Sequence, residues 1–159
     1  MSNLKSEFWD RLDDVQAAML GIKGQGRLVA MSPQVDDDAP NHVWFITAQG
    51  TDLATGVESG PRDAQLVVAD PKAGLYADVD GTLERSPDRE ALDEVWSFVS
   101  EAWFDGGQND PDVHLLKFTP KSGEVSITET SGVKFLYEIA KAKITDETPD
   151  AGEQGHVTF

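Results

Sequence analysis

The 159 residues contain no cysteine, which excludes disulfides, thiol nucleophiles and zinc or iron–sulfur sites built on Cys. Positive charge is scarce: 13 Lys plus Arg stand against 29 Asp plus Glu, a formal net charge of -16. Such a chain repels a phosphate backbone or an anionic membrane surface, so neither nucleic acid nor membrane is an expected partner. No stretch approaches the roughly 18 apolar residues of a membrane-spanning helix. The start, Met1-Ser2-Asn3-Leu4-Lys5-Ser6-Glu7, has no apolar secretory core, and a cytoplasmic protein is the expectation.

Chemistry-bearing motifs are equally sparse. His42, His114 and His156 are far apart and none has a ligand-spaced partner, so no metal site is expected. Asp105, Asn109, Asp110 and Asp112 miss the spacing of a calcium loop. Asp36-Asp37-Asp38 reads as a solvated run, since consecutive residues of an extended loop point in different directions. Gly21, Gly24 and Gly26 fall in a hairpin turn rather than between a strand and a crossover helix, which excludes a phosphate-binding fingerprint. There is no G-x-S-x-G and no Ser with an evident His partner, so covalent hydrolysis is not expected. Redox chemistry would need a bound cofactor.

What the chain does carry is a regular alternation of elements. Leu4, Phe8, Leu12 and Val15 predict a helix from Leu4 to Val15. Ala18 to Ile22 and Arg27 to Met31 read as a hairpin around Lys23-Gly24-Gln25-Gly26. Ser32 to Asn41 is a loop, Val43 to Ala48 a strand, and Thr51 or Asp52 caps a short helix to about Glu58. Ala64 to Ala69 and Leu75 to Leu83 form a second hairpin across Asp70-Pro71-Lys72-Ala73-Gly74. Ser86 as cap and Pro87 at the first helical position open a helix that runs, on Leu92, Val95, Trp96, Val99 and Trp103, to Trp103. Val113 to Thr119 and Glu124 to Thr130 predict a third hairpin around Pro120-Lys121-Ser122-Gly123. Phe135, Leu136, Ile139, Ala140 and Lys143 space a last helix. Residues 1–144 then make one domain and 145–159 an acidic tail. Strands joined by hairpins, with helices at the start, middle and end, imply an α+β fold whose antiparallel sheet closes into a small barrel.

The dipeptide Trp-Phe occurs twice, as Trp44-Phe45 in the apolar run from His42 to Ala48 and as Trp103-Phe104 where a helical pattern ends. A Trp suits both a core and a flat ring laid against it, and the residues alone leave both uses open.

The order of these blocks resembles a known family. Val43-Trp44-Phe45-Ile46-Thr47 with Thr51 after it, the turns at Asp70-Pro71 and Asp80-Gly81, Ala102-Trp103-Phe104-Asp105-Gly106 with Asp110-Pro111, and Tyr137-Glu138-Ile139-Ala140-Lys141-Ala142 resemble the general-stress-protein branch of the pyridoxamine 5'-phosphate oxidase-like family. The resemblance implies a six-stranded antiparallel split β-barrel with flanking helices. It also implies a homodimer that binds FMN or FAD, or a flavin-like small molecule, at its interface and acts as a flavin-dependent oxidoreductase. Carried onto this chain, the cofactor-binding positions are Val29, Met31, Trp44, Phe45, Thr47, Thr51, Leu53 and Trp103, with no catalytic residue indicated. Two positions depart from the pattern. Val29-Ala30-Met31 stands where Arg-Pro-Met is expected, and Thr51-Asp52-Leu53 where Ser-x-Lys is expected, so two phosphate-anchoring cations are replaced by Val29 and Leu53. Lys23 or Arg27 is a candidate substitute. Ser126 stands near where the branch often carries a Trp. The end Gly155-His156-Val157-Thr158-Phe159 lacks the basic substrate-binding end of a true pyridoxamine phosphate oxidase. The alternative is a non-catalytic homodimeric relative that has lost tight FMN binding and takes another small ligand or none.

Overall fold

A computed structural model describes residues 4–38, 40–96, 98–128, 139–144 and 152–159. Helix α1 (Leu4–Leu12) forms because Leu4, Phe8 and Leu12 recur every fourth residue, and all three are buried. Nine residues are too few to hold a helix in isolation, so this stripe and its anchors supply the stability. Arg11 pairs with Glu7 at 2.8 Å and donates to the carbonyls of Ala73, Gly74 and Thr128. The helix stops before the expected Val15, because the Asp14 and Val15 N–H groups turn back to the carbonyls of Arg11 and Leu12. Val15 is nevertheless buried, so the periodicity located the apolar face correctly and only overran the end.

Strands β1 (Ala18–Ile22), β2 (Val29–Met31), β3 (Val43–Ala48), β4 (Arg62–Asp70) and β5 (Leu75–Arg85) follow the expected order. Between β3 and β4 lies α2 (Asp52–Gly56), capped by the Thr51 hydroxyl, which accepts from the Ala54 N–H. The β4–β5 hairpin closes through the Asp70 carboxylate, which accepts from the N–H groups of Lys72 and Ala73, while Gly74 takes the left-handed φ of 68° that the turn requires.

The third hairpin is not formed. Val113 to Thr128 is one 16-residue strand, β6. Pro120 and Gly123, read as turn residues, remain extended. Ser122 pairs with Asp80 and Pro120 with Gly81, so Lys121 is the extra residue of a bulge. A bulge is a place where a sheet tolerates proline, and the Lys121 carbonyl accepts from the Phe159 N–H at 2.9 Å.

That contact belongs to a second correction. Of residues 145–159, expected as an acidic tail, Gly152–Thr158 is strand β7, paired with β6 from Ser122 to Thr128. Val157 is buried, and Phe159 sits edge-on to Phe8 at 5.0 Å. The acidic composition of the segment concealed a strand whose backbone, rather than its side chains, makes most of the attachment.

All pairings are antiparallel, in the order β2-β1-β4-β5-β6-β3, with β7 on the same edge of β6 as β3 but further along. The result is the six-stranded split barrel of an α+β fold, with β7 as a short addition. Its seam lies between the path's two ends, β2 and β3. One isolated bridge, Gln34 to Trp44 with N–O distances of 2.9 and 2.8 Å, pins that seam just beyond β2.

Phe8, Phe45, Phe118, Leu20, Leu66 and Leu116 are fully buried in the main core. Burying each stabilises the fold by roughly 1.5–3 kcal/mol, which outweighs any single turn or ion pair. A second cluster covers the outer face of β3 and β6, where Trp44 and Leu115 meet Ala91, Leu92 and Val95 of α3 (Arg89–Val95).

The helix expected from Ser86 to Trp103 is two pieces, α3 and α4 (Phe98–Trp103). Asp88, not Ser86, caps α3 by accepting from the N–H groups of Glu90 and Ala91. Ser86 stays in register with β6, its N–H donating to the Leu115 carbonyl, and its hydroxyl accepts from the Asp88 N–H ahead of the helix. Trp96 leaves the helical conformation at φ -66°, ψ 134° and so separates the two pieces.

The Asp36-Asp37-Asp38 run is also not wholly solvated. Asp36 is only 6% exposed and its carboxylate accepts from the Asp38 N–H. The carboxylates of Asp36, Asp38 and Glu94 lie within 4.8 Å of one another. Of the last predicted helix, residues 139–144 are helical, and Phe135 and Leu136 lie outside the described residues. Among the described residues no helix is long and apolar enough to cross a membrane.

Candidate functional site

A cleft of about 810 Å³ opens over the seam. Ala30 and Met31 of β2 form one wall and Ile46, Thr47 and Ala48 of β3 the other, because among the described residues nothing pairs with either strand along the seam beyond the Gln34–Trp44 bridge. Gln34 closes one end through its bridge to Trp44. The roof is Ser100, Trp103 and Phe104, carried by α4 and the residue after it, with Gln16 entering from the α1–β1 turn. Trp103 is 80% exposed, an aromatic face presented to the cleft and to solvent rather than spent on the core.

Thr47 is the polar centre of the β3 wall. Its hydroxyl lies 2.9 Å from that of Thr51. The Thr51 hydroxyl donates to the Ala48 carbonyl at 3.0 Å and accepts from the Ala54 N–H, so the proton shared between the two threonines comes from Thr47. Both hydroxyl protons are therefore committed inside the chain. Removing Thr51's hydroxyl takes away a helix cap and leaves Thr47 without its acceptor. Thr51→Ala is expected to lower stability by about 1–2 kcal/mol, measured as a shift in the urea midpoint at unchanged slope.

Directly across from Thr47 in the β3–β6 register stands His114, buried, with an Nδ1 that has no hydrogen-bond partner. Burial holds its pKa below the ordinary imidazole range, and the nearby Arg85 charge pushes in the same direction against Glu58 and Asp112. His42 is lowered too, first by burial and then by Lys117, against Glu84. Both rings are thus favoured neutral in the fold. As pH falls through about 6.5 the unfolded chain takes up protons that the folded one refuses, so stability present above that pH is lost below it. Urea midpoints measured from about pH 8 to pH 5 are expected to fall across this window, and His114→Leu to flatten the fall.

Of the residues indicated by sequence, Met31, Thr47 and Trp103 come together in the cleft, with Thr51 hydrogen-bonded behind Thr47. Val29 packs against the barrel core, and Leu53 and Phe45 lie within it. Trp44 lies in the cluster under α3, its indole Nε1 buried without a partner. The sequence reading did not single out Gln16, Ser32, Gln34, Ala48 or Ser100. Gln34 had no local signal, since only the long-range bridge to Trp44 brings it to the cleft.

The family model described as pyridoxamine 5'-phosphate oxidase like matches residues 3–150. The chain belongs to the pyridoxamine 5'-phosphate oxidase-like family. A Jannaschia sp. CCS1 structure named for general stress protein 26 is similar at 73% identity, with a TM-score of 0.92 over 100% of this chain and 99% of that one. The general stress FMN/FAD binding protein of Xanthomonas citri is similar at 26% identity and a TM-score of 0.72, covering 82% of this chain and 93% of that one. A general stress family protein of Xanthomonas campestris pv. campestris matches at 25% identity and a TM-score of 0.70, with the same coverage. No curated protein matches the chain.

For this member of the oxidase-like family the cleft fits one part of a flavin and not another. Its volume lies within the range of small-ligand sites, and Trp103 and Phe104 suit a planar ring. Among the described residues that line the cleft, a phosphate finds no charged counterpart. Val29 and Leu53 are apolar, the Thr47 and Thr51 hydroxyl protons are spent, and α2 opens with Asp52. Lys23 is held by Asp80 at 2.7 Å. Arg27 is exposed on the hairpin and does not line the cleft among the described residues.

Proposed function

We propose that the protein is a flavin-binding split barrel of the general stress type, working as a cytoplasmic homodimer. One observation carries this reading: a flavin-sized cleft at the open seam, with the unburied Trp103 over it. Ile46, Thr47, Ala48 and Trp103 are the residues that would hold the ring system. A bound flavin would supply the electron-transfer chemistry. The chain would exclude water from one ring face and offer neutral donors and acceptors at its rim. The name of the Xanthomonas citri relative, which includes FMN/FAD binding, supports the choice of ligand. Purified protein titrated with riboflavin, FMN and FAD is expected to quench flavin fluorescence and to retain a flavin-sized mass under native mass spectrometry as a dimer. No change with any of the three, at excess, overturns the reading.

The apolar Val29 and Leu53 favour a second reading, a non-catalytic homodimer that takes another small ligand or none. Retention of a non-flavin mass, or of no ligand after exposure to all three flavins, selects it.

A further inference from the structure

We infer that the cleft is built for an uncharged flat ligand, so that within the flavins it takes riboflavin at least as well as FMN. This rests on the proposed flavin reading and specifies its ligand class. Charged side chains make up 26% of the sequence, yet none lines the cleft among the described residues. Every polar side chain there is a neutral amide or hydroxyl: Gln16, Ser32, Gln34, Thr47 and Ser100.

A phosphate dianion drawn into such a site loses water contacts and gains no cation from the described residues that line it. Isolated ions are costly to bury unless paired. The nearest hydroxyls do not relieve this, because the Thr47 proton goes to Thr51 and the Thr51 proton to the Ala48 carbonyl. Freeing either one for a phosphate breaks a hydrogen bond already made. The surrounding field has the wrong sign as well, since the net charge of -16 opposes any anion that approaches. A neutral ring with a ribityl chain meets none of these costs. Amides donate and accept equally well, which matches the alternating carbonyl and N–H edge of a neutral ring rather than an oxyanion.

The test is a paired titration of the natural protein with riboflavin and with FMN by fluorescence quenching, in one buffer of low ionic strength. The expected result is that riboflavin binds as tightly as FMN or up to about tenfold more tightly. Affinities within about threefold of one another count as equal and support the inference, since the phosphate then contributes almost nothing. FMN binding that is tighter by more than about threefold overturns the inference and leaves the flavin reading standing. Binding of neither overturns the flavin reading, and the inference falls with it.

Discussion

Gly123→Val is expected to lower stability by about 3 kcal/mol or more, a fall in melting temperature of about 6–12 °C for a domain of this size. Gly123 is buried in β6 opposite Val79 of β5. A Cβ built there collides with the Asp78 carbonyl and comes within 2.8 Å of the Val79 Cα. Both obstacles are backbone, so no rotamer change relieves them, and the relief that exists is to part β5 from β6. Those two strands pair from Leu75–Ile127 to Arg85–Leu116, so a local separation weakens the longest ladder in the barrel. Gly123→Ala is expected to do the same to a smaller degree. An unchanged urea midpoint for the valine variant would show that the ladder yields at this position without loss.

The same glycine explains why part of the fold was illegible. Pro120-Lys121-Ser122-Gly123 has the composition of a turn. What keeps it extended is pairing with β5 and β7, neither of which is local. Gly123 is there for close approach of a neighbouring backbone, the other use of glycine in a strand. Where the local signal and the long-range contact agreed, the sequence was easy to read. Val43–Ala48 has the predicted bounds, Thr51 caps α2, and the alternation of Leu75, Ala77 and Val79 marks the buried face of β5. At Ser86 they disagreed, because its backbone pairs with Leu115 and the helix is capped two residues later, at Asp88.

The site divides along the same line. Met31, Thr47 and Trp103 come from three separate elements, and the ordered Trp-Phe blocks mark two of those elements in the sequence itself. Gln16 and Gln34 are brought in by the barrel's closure, which no local pattern encodes. The neutrality of the lining was invisible for the same reason. Asp52 and Lys23 are near in sequence to cleft-forming segments, yet one opens α2 and the other is paired with Asp80.

The two Trp-Phe pairs are expected to respond to alanine in opposite ways. Trp44→Ala removes a side chain that is 2% exposed and packed under α3, and a cavity of that size costs about 3–5 kcal/mol. The loss belongs at the lower end, because the indole N–H has no acceptor and its burial already carries a penalty of about 1–3 kcal/mol. Trp44→Phe, which keeps most of the volume and deletes the orphan donor, is therefore expected to stay within about 1 kcal/mol of the natural protein. Trp103→Ala should leave stability within about 0.5 kcal/mol, since that ring is 80% exposed. Its effect is on the cleft: stacking against a flat ring contributes roughly 1–3 kcal/mol, so flavin affinity is expected to fall about ten- to a hundredfold. Urea midpoints and flavin titrations on the same three variants separate the two roles. If Trp103→Ala unfolds the chain, the residue belongs to a core, and if it binds flavin normally, α4 is not the cover of the cleft. A fold that spends one Trp on packing and leaves the other at the seam has divided between two positions the two uses an indole allows.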